Sequence, residues 1–432
     1  MNQRASHMLL VGILIAVPCG AILGLANPEA GRSIQFLGQW FLNALLVVAL
    51  PLVMSSIILG VSSLGDIRRL GGLAGRTLVY FMGTTAVAVL IGLTLVSILQ
   101  PGIVETGGDR AAPMVQQSEA APTNPPDRPQ TIGQLIREVL VSLLPHNLVT
   151  AIVNAQVLPI IIFSLALGAV LTMIGEPGRR VIRLVERVNG GIMTAVHVLL
   201  WAAPIGVGAL VAGRLGEAGG WSGFWPELVG LGWYAGTVIL ALLIHGVIVL
   251  PLLLQFVARR PVMPYARNMA TALTTAFSTS SSSATIPMTL QGVTERNGVS
   301  QRMTRFVVPL GATINMNGTA LYEAIAAVFI AQRYGIELEL GHVVIVFLTA
   351  TLAAIGAAGI PEAGLVTMVI VLKAVDLPLE GISLILVIDW FLDRCRTTVN
   401  VWGDAVGAAV VERLEGDSAK GNRRTDEGEA ER

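Results

Sequence analysis

Five polar side chains recur at helical spacing near the C-terminal end of the chain. They are Asp389, Asp393, Arg396, Asn400 and Asp404, in an otherwise mostly apolar segment. At about 100° per residue they fall on one helix face, within roughly an 80° sector. Facing lipid, each centrally placed charge would cost about 2.5–3.5 kcal/mol. The stripe is therefore predicted to line a polar cavity that binds substrate or ions, the alternative being a buried ion-pair network. Since one guanidinium cannot neutralise three acids, a bound cation or a proton must compensate.

The composition is that of a membrane protein. Of 432 residues, 53% are hydrophobic and 13% charged, against about 25% charged in soluble domains. The formal net charge is zero, and no nucleic-acid motif is present. Cys19 and Cys395 are the two cysteines, so no disulfide framework is expected. The first apolar run lacks a small-residue cleavage site, and we interpret it as a retained helix.

Long apolar stretches predict the membrane spans. These lie at about 8–25, 41–64, 77–99, 148–174, 191–212, 228–257 and 382–411. Between 260 and 382 the apolar stretches are shorter and are interrupted by small and polar residues. Two of them, 265–294 and 341–375, are typical of paired half-length helices around a tip, at 278–287 and 357–364. Such re-entrant hairpins occur where backbone lines a cavity, and they indicate a transporter binding site.

The distribution of arginine predicts the orientation. Clusters at 68–76, 179–187 and 259–260 fall at alternate ends of successive spans, on the same side as Arg4. By the positive-inside rule the N-terminus is cytoplasmic, so the first hairpin enters from the cytoplasm and the second from outside. Residues 101–147 are expected to form a flexible external loop, and residues 416–432 a disordered cytoplasmic tail.

Three further motifs could carry chemistry. The serine run at 278–283 sits between apolar arms, where hydroxyls and amides could donate to a carboxylate; in a soluble protein it would be a linker. The sequence NMNGT at 315–319 should unwind a helix and free carbonyls for a small hard cation, although a kinked helix with self-capping asparagines is an equal alternative. The sequence GIPEAG at 359–364 is a candidate gate.

Together these motifs resemble those of the dicarboxylate/amino acid:cation symporters, which include the glutamate transporters. The resemblance extends from the first span to about residue 411, and is most specific at SSSSATIP (280–287), NMNGTALYEA (315–324), GIPEAGLVTMVIVL (359–372) and DWFLDRCRTTVNVWGD (389–404). It implies an all-α membrane protein with eight transmembrane helices, two re-entrant hairpins, an elevator mechanism and a homotrimer in the plasma (inner) membrane.

The resemblance also implies a division of the chain. The scaffold would comprise 1–76 and 148–222. The transport domain would comprise 77–100 and 223–415, which include the third and sixth spans, both hairpins and the last two spans. Both termini would be cytoplasmic.

The resemblance places an acidic amino acid on the stripe. Asp393 would bind its α-amino group and Arg396 its side-chain carboxylate, as a bidentate guanidinium suits a planar carboxylate. Neutral-amino-acid members lack the arginine and dicarboxylate members lack the acid, so keeping both favours aspartate or glutamate. The remaining substrate-binding residues would be Ser280, Ser282, Thr319, Ile360, Gly364, Thr397 and Asn400.

Sodium would be the main coupling ion, without an organic cofactor. The residues implied for the first site are Asp404 and, through their backbone oxygens, Gly311, Asn315 and Asn400. Those implied for the second are Thr313, Ala354, Ile355 and Ala357. The third family site would involve Thr84 and Thr85, but here Asn317 replaces its usual acid and Phe81 a tyrosine found in some members. Losing a carboxylate removes charge that offsets dehydration of the ion, so the third site should be weak or absent.

Two residues suggest additional coupling ions. Glu323 matches the proton-carrying acid of proton-coupled members, with a hydrogen-bonded structural glutamate as the alternative. Arg394 together with Ser280 resembles the pattern of members that countertransport potassium. Glu362 departs from the family and could occupy Arg396 in the empty state.

Other functional classes fit less well. An intramembrane serine protease needs a serine activated by histidine, and none of the five histidines forms a motif with the serine run. A passive channel would not need paired groups for an ammonium and a carboxylate. Within the family, the alternative is a C4-dicarboxylate:cation symporter.

Overall fold

The regular structure is helical throughout the part of the chain that is described. The computed structural model describes residues 3–63, 72–103, 141, 147–154, 156–356, 359 and 363–430. In a bilayer a helix satisfies its own backbone groups, which explains this choice for apolar runs. The helices of the first half are α1 (Gln3–Ala26), α2 (Pro28–Ser62), α3 (Gly72–Leu99), α4 (Leu148–Val153), α5 (Val157–Met173), α6 (Glu176–Leu200) and α7 (Ala203–Glu217).

Helices α1, α2 and α7 pack through glycines at backbone distance. A Cβ on Gly24 or on Gly31 would lie 2.5 Å from the carbonyl oxygen of Ala212. A Cβ on Gly216 would lie 2.5 Å from the carbonyl oxygen of Pro28. Small residues allow such close approach between membrane helices, so these three helices form one tight group.

The span predicted at 191–212 is broken in the structure. Helix α6 ends at Leu200, and α7 begins at Ala203 after a bend of 54°. Pro204 explains the break, because its ring nitrogen has no hydrogen to continue the helical ladder.

The second half holds longer spans and shorter paired helices. Its helices are α8 (Trp221–Leu243), α9 (Val262–Asn268), α10 (Ala270–Thr279), α11 (Ser282–Gln291), α12 (Gln301–Ile314), α13 (Asn317–Arg333), α14 (Leu340–Gly356), α15 (Ala363–Ala374) and α16 (Ile382–Ala430). Two π-helical turns, Ile244–Val249 and Leu253–Val257, extend α8 to Val257. The expectation of a disordered tail differs from the structure, in which α16 continues to Ala430. Extending an existing helix avoids the cost of nucleation.

The two segments predicted as hairpins each contain a pair of short helices in contact. In the first hairpin, α10 and α11 are joined at Ser280 and Ser281, where Ser280 adopts a left-handed conformation with φ of 51°. The Ser281 hydroxyl accepts from the Ala284 N–H at 3.1 Å and caps α11. The second hairpin comprises α14 and α15. The two tips meet, because the Gly359 carbonyl accepts from the Ser281 hydroxyl at 2.6 Å and from the Ser283 N–H at 3.1 Å.

The predicted helix break at NMNGT is confirmed. Helix α12 ends at Ile314 and α13 begins at Asn317, with Asn315 and Met316 outside helical geometry. Helix α13 is buried along nearly its whole length, against α3, α16 and the second hairpin. The break therefore lies in the protein interior, beside the polar stripe on α16.

The described residues contain four helices long and apolar enough to cross a membrane, or five if α6 and α7 count as one bent span. The four are Pro28–Ser62, Gly72–Leu99, Phe224–Val257 and Gln301–Arg333, the last of which includes the break. This agrees with a helical membrane protein. Most of the predicted loop at 101–147 lies outside the described residues, as do Ala357, Ile360 and Glu362.

Candidate functional site

The polar stripe on α16 is buried, as the cost of exposing it to lipid requires. Its five members are all at most 6% exposed. Helix α16 packs against the broken helix and the first hairpin, and Gly364 of the second hairpin lies beside Arg396. The predicted cavity-lining face is thus turned toward the protein interior.

Arg396 is fully buried between two acids of its own helix. Its Nη2 lies 2.9 Å from Asp393 Oδ1, and its Nη1 lies 3.1 Å from Asp389 Oδ1. The guanidinium carbon is 3.7 Å from the ring centre of Tyr322, a cation–π contact. Within the described residues, Nε and Nη1 have no hydrogen-bond partner, since the close Asp389 oxygen is poorly aligned. Arg396 can therefore still bind a planar anion.

Gly364 explains how the second hairpin approaches this guanidinium. A Cβ on Gly364 would lie 3.1 Å from Arg396 Nη1 and 3.3 Å from its central carbon. Only glycine leaves the guanidinium face open at this point. Of the predicted hairpin contacts, Ile360 lies outside the described residues.

Asn400 joins the stripe to the broken helix. Its Oδ1 accepts from the Gly318 N–H at 2.7 Å, and its Nδ2 is 3.2 Å from the Thr319 hydroxyl. Thr319 and Thr397 are both buried beside this link. The structure therefore pairs Asn400 with Thr319, as it pairs Arg396 with Asp393.

The first hairpin reaches α16 through Arg394. The Arg394 Nη1 donates to the carbonyls of Phe277 and Ser278 at 3.1 and 2.9 Å, and lies 3.4 Å from the Ser280 hydroxyl. These carbonyls end α10 and have no helical partner, so the cation closes the end of that helix. Ser280 and Ser282 are buried at the tip, but the hydrogen bond described for Ser280 runs to Arg394, away from Arg396.

Asp404 stands at a site suited to a hard cation. Its Oδ1 accepts from Asn315 Nδ2 at 2.9 Å, and Gly311 packs directly against its carboxylate. Asn315 Oδ1 is buried without a hydrogen-bond partner in the described part of the chain. An orphaned amide oxygen beside a buried carboxylate fits a small cation with oxygen ligands. Asn400 is predicted to contribute its backbone oxygen to the same site, and its side-chain Oδ1 accepts from the Gly318 N–H.

The second predicted cation site lies where two helices end. Ala354 and Ile355 belong to the last turn of α14, and Thr313 to the last turn of α12. Carbonyls of a last turn lack helical partners and carry the negative end of the helix dipole. Gly359 packs against the end of α12, since a Cβ there would lie 2.6 Å from the Ala312 carbonyl oxygen. Ala357 lies outside the described residues.

The groups of the third predicted site already have hydrogen-bond partners within the protein. The Thr85 hydroxyl donates to Asn317 Oδ1 at 2.6 Å, and Asn317 Nδ2 is 3.2 Å from His245 Nε2. The Thr84 hydroxyl donates to the Tyr80 carbonyl at 2.8 Å. Sequence reasoning missed His245, whose only signal was a histidine inside an apolar span. In the ranges described, the structure holds no cluster of three or more histidine, cysteine or carboxylate side chains suited to a metal.

Glu323 is fully buried one helical turn beyond Thr319. Its Oε1 accepts from the Thr367 hydroxyl on α15, and its Oε2 has no hydrogen-bond partner among the described residues. Glu323 forms no salt bridge within the described residues, so its protonated form avoids an unpaired buried charge. Glu323 thus links the broken helix to the second hairpin through a group that can hold a proton.

Comparison with known proteins agrees with this geometry. The model of the "Sodium:dicarboxylate symporter family" matches residues 9–414. The chain belongs to this family. The predicted family is therefore confirmed, and it is a family of transporters, not of enzymes.

Several curated members of the symporter family are similar over nearly the whole chain. "Excitatory amino acid transporter 3" of Mus musculus is 38% identical, covering 95% of this chain and 86% of the relative. "Excitatory amino acid transporter 1" of Ambystoma tigrinum is 38% identical, covering 96% and 86%. The human "Excitatory amino acid transporter 3" is 39% identical, covering 95% and 86%.

Proposed function

We propose that this symporter takes up acidic amino acids, aspartate or glutamate, with sodium and a proton. The observation that carries the proposal is the buried Arg396, held between Asp389 and Asp393, whose Nε and Nη1 have no hydrogen-bond partner in the described residues. A carboxylate that can bind an ammonium group, next to a guanidinium that can bind a carboxylate, suits an amino acid with an acidic side chain. The names of the relatives support this reading.

The geometry suggests how an acidic amino acid would bind to the polar residues of α16. Arg396 and Asp393 are paired at 2.9 Å. A substrate ammonium that binds Asp393 releases this contact, and the guanidinium then binds the substrate's side-chain carboxylate while Asp389 still holds it. Ser280, Ser282, Thr319, Thr397 and Asn400 would complete the site. The exchange keeps every buried charge paired, which avoids a large penalty.

Sodium binding would prepare this site. A cation at Asp404 would also bind Asn315. Asn315 lies in the helix break just before Gly318, and the Gly318 N–H donates to Asn400 on the stripe. A second sodium at the ends of α12 and α14 would hold the second hairpin closed. Both ions are cargo, and they offset the buried negative charge that Arg396 does not neutralise.

The architecture proposed with this function is that of the resemblance. Eight spans and two re-entrant hairpins would form a scaffold, 1–76 and 148–222, and a transport domain, 77–100 and 223–415. Three subunits would assemble in the plasma membrane with cytoplasmic termini. The transport domain would move past the scaffold as an elevator.

Uptake of labelled aspartate into proteoliposomes tests the proposal. Uptake should require an inward sodium gradient, and unlabelled glutamate should compete better than succinate. Stronger competition by succinate would favour the alternative, a C4-dicarboxylate symporter, which the family description keeps as the second candidate. An outward potassium gradient, varied separately, would test whether potassium is countertransported and whether Arg394 is needed for it. A potassium effect that survives Arg394→Gln would contradict that role.

The coupling ratio gives a prediction at Asn317. Thr85 and His245 already occupy the side-chain amide of Asn317, so a third sodium ion should not bind there. Sodium-dependent uptake should therefore show a Hill slope near two. Asn317→Asp restores a carboxylate and should raise the slope toward three. Combining it with Thr85→Val should return the slope to about two, and a wild-type reversal potential that demands three sodium ions would contradict the assignment.

The proton gives a prediction at Glu323. Glu323→Gln preserves the shape and the bond from Thr367 but cannot lose a proton, so uptake should become independent of pH between about 5 and 9. Glu295→Gln, at the exposed end of the first hairpin, serves as the matched control. An unchanged pH profile in Glu323→Gln would refute the role.

A further inference from the structure

Two groups of helices meet at several places, one of which lies between α7 and α8. On one side, α1, α2 and α7 are packed at backbone distance. On the other, α8 packs with α3, α13 and α16. Under the proposed function these groups are scaffold and transport domain, so the contact between α7 and α8 crosses the surface along which they slide.

The boundary is loosely packed beside α7 and α8. A cavity of about 100 Å³ separates Val17, Val211 and Leu215 on the scaffold side from Phe224, Leu231 and Leu384 on the other. Empty apolar space forfeits dispersion contacts. Apolar packing therefore contributes little at this part of the boundary, between α7 and α8.

At the edge of the cavity, a largely buried ion pair joins the two groups. Arg214 Nη2 on α7 lies 3.0 Å from Glu227 Oε1 on α8, and both side chains are only 10% exposed. Arg333 Nη2, at the end of α13, lies 2.7 Å from the same oxygen. Glu227 thus has one partner inside its own group and one across the boundary. If the groups slide, the Arg333 pair can persist and the Arg214 pair must break.

The hairpins identify the position of the moving group. The second hairpin packs on α2 and α5, where Val53, Ile57 and Ile161 form a cluster with Ala353 and Ile370. The first hairpin is open to its surroundings, since Phe277 is 42% exposed and Thr274 is exposed. With the predicted topology, the hairpin that enters from the cytoplasm is free, which is an inward-facing arrangement.

We propose that the Arg214–Glu227 ion pair is a latch that holds the transport domain in this inward-facing position. The proposal rests on the proposed elevator function. Removing Arg214 leaves Glu227 neutralised by Arg333, so no buried charge is left unpaired. The inward-facing arrangement then loses stability because the contact across the boundary is gone. The outward-facing population should rise as a result.

Thiol labelling of the first hairpin measures that population. Thr274→Cys, in a background with Cys19→Ser and Cys395→Ala, should react fast in the position described and slowly when the hairpin packs on the scaffold. Adding Arg214→Gln should slow labelling of the purified protein by about fivefold or more, as for other coupled charge pairs. Arg214→Met should do the same.

A matched control and uptake separate the outcomes. Arg32→Gln removes an arginine that bonds to the Gly216 carbonyl at 3.0 Å within the scaffold, and it should leave labelling unchanged. Equal rates in the parent and both Arg214 variants overturn the latch, and so does a parent cysteine that does not react. Aspartate uptake is read in parallel, so its absence in the parent would reject the proposed function itself, whatever the labelling shows.

Discussion

Arg396→Gln should abolish binding of aspartate and glutamate while binding of a neutral amino acid such as serine survives or improves. The guanidinium would make charge-assisted, bidentate contact with the substrate's side-chain carboxylate, and losing such contact in a buried site costs about 3 kcal/mol. The dissociation constant for aspartate should therefore rise by about two orders of magnitude. Calorimetry on the purified protein, with aspartate and serine in parallel, measures both.

The same substitution strands two acids, and this must be separated from the loss of affinity. Asp389 and Asp393 would lose their cation, so Arg396→Gln should also lower thermal stability. Arg396→Lys keeps the charge but loses the bidentate geometry. It should recover most of the stability and little of the aspartate affinity. Unchanged aspartate affinity in a folded Arg396→Gln protein would reject the assignment of the carboxylate to this residue.

Asp404→Asn should weaken sodium activation more than any other conservative change on the stripe. The amide can still accept from Asn315 Nδ2, so the fold is preserved while the charge that offsets cation dehydration is lost. The sodium concentration for half-maximal uptake should rise by about tenfold or more, which corresponds to roughly 1.4 kcal/mol. The Hill slope should fall toward one.

An acid-to-amide change elsewhere controls for general effects of charge. Asp376 is exposed and has a φ of 50°, a conformation that asparagine also tolerates. Asp376→Asn should leave sodium activation as in the parent. Normal sodium dependence in Asp404→Asn would place the first cation elsewhere.

Much of the fold and the site was predictable because the chain must satisfy a bilayer. The stripe on α16 could be identified from spacing alone, since charges on an apolar helix have to face inward. The break between α12 and α13 followed from asparagine and glycine inside an apolar run. Pro204 shows a limit of such local reasoning. Proline breaks helices in general, but the sequence did not indicate that the predicted fifth span would bend at this one.

The sequence by itself determined which residues carry charge into the apolar interior and where its helices break, because both follow from local spacing and the cost of burial. The tertiary structure alone decided the partners. Arg396 is shared by Asp389 and Asp393, His245 meets Asn317, and Glu227 joins two helix groups. These contacts join residues through the packing of whole helices. Spacing along a single helix carries no information about which face of a distant helix will meet it.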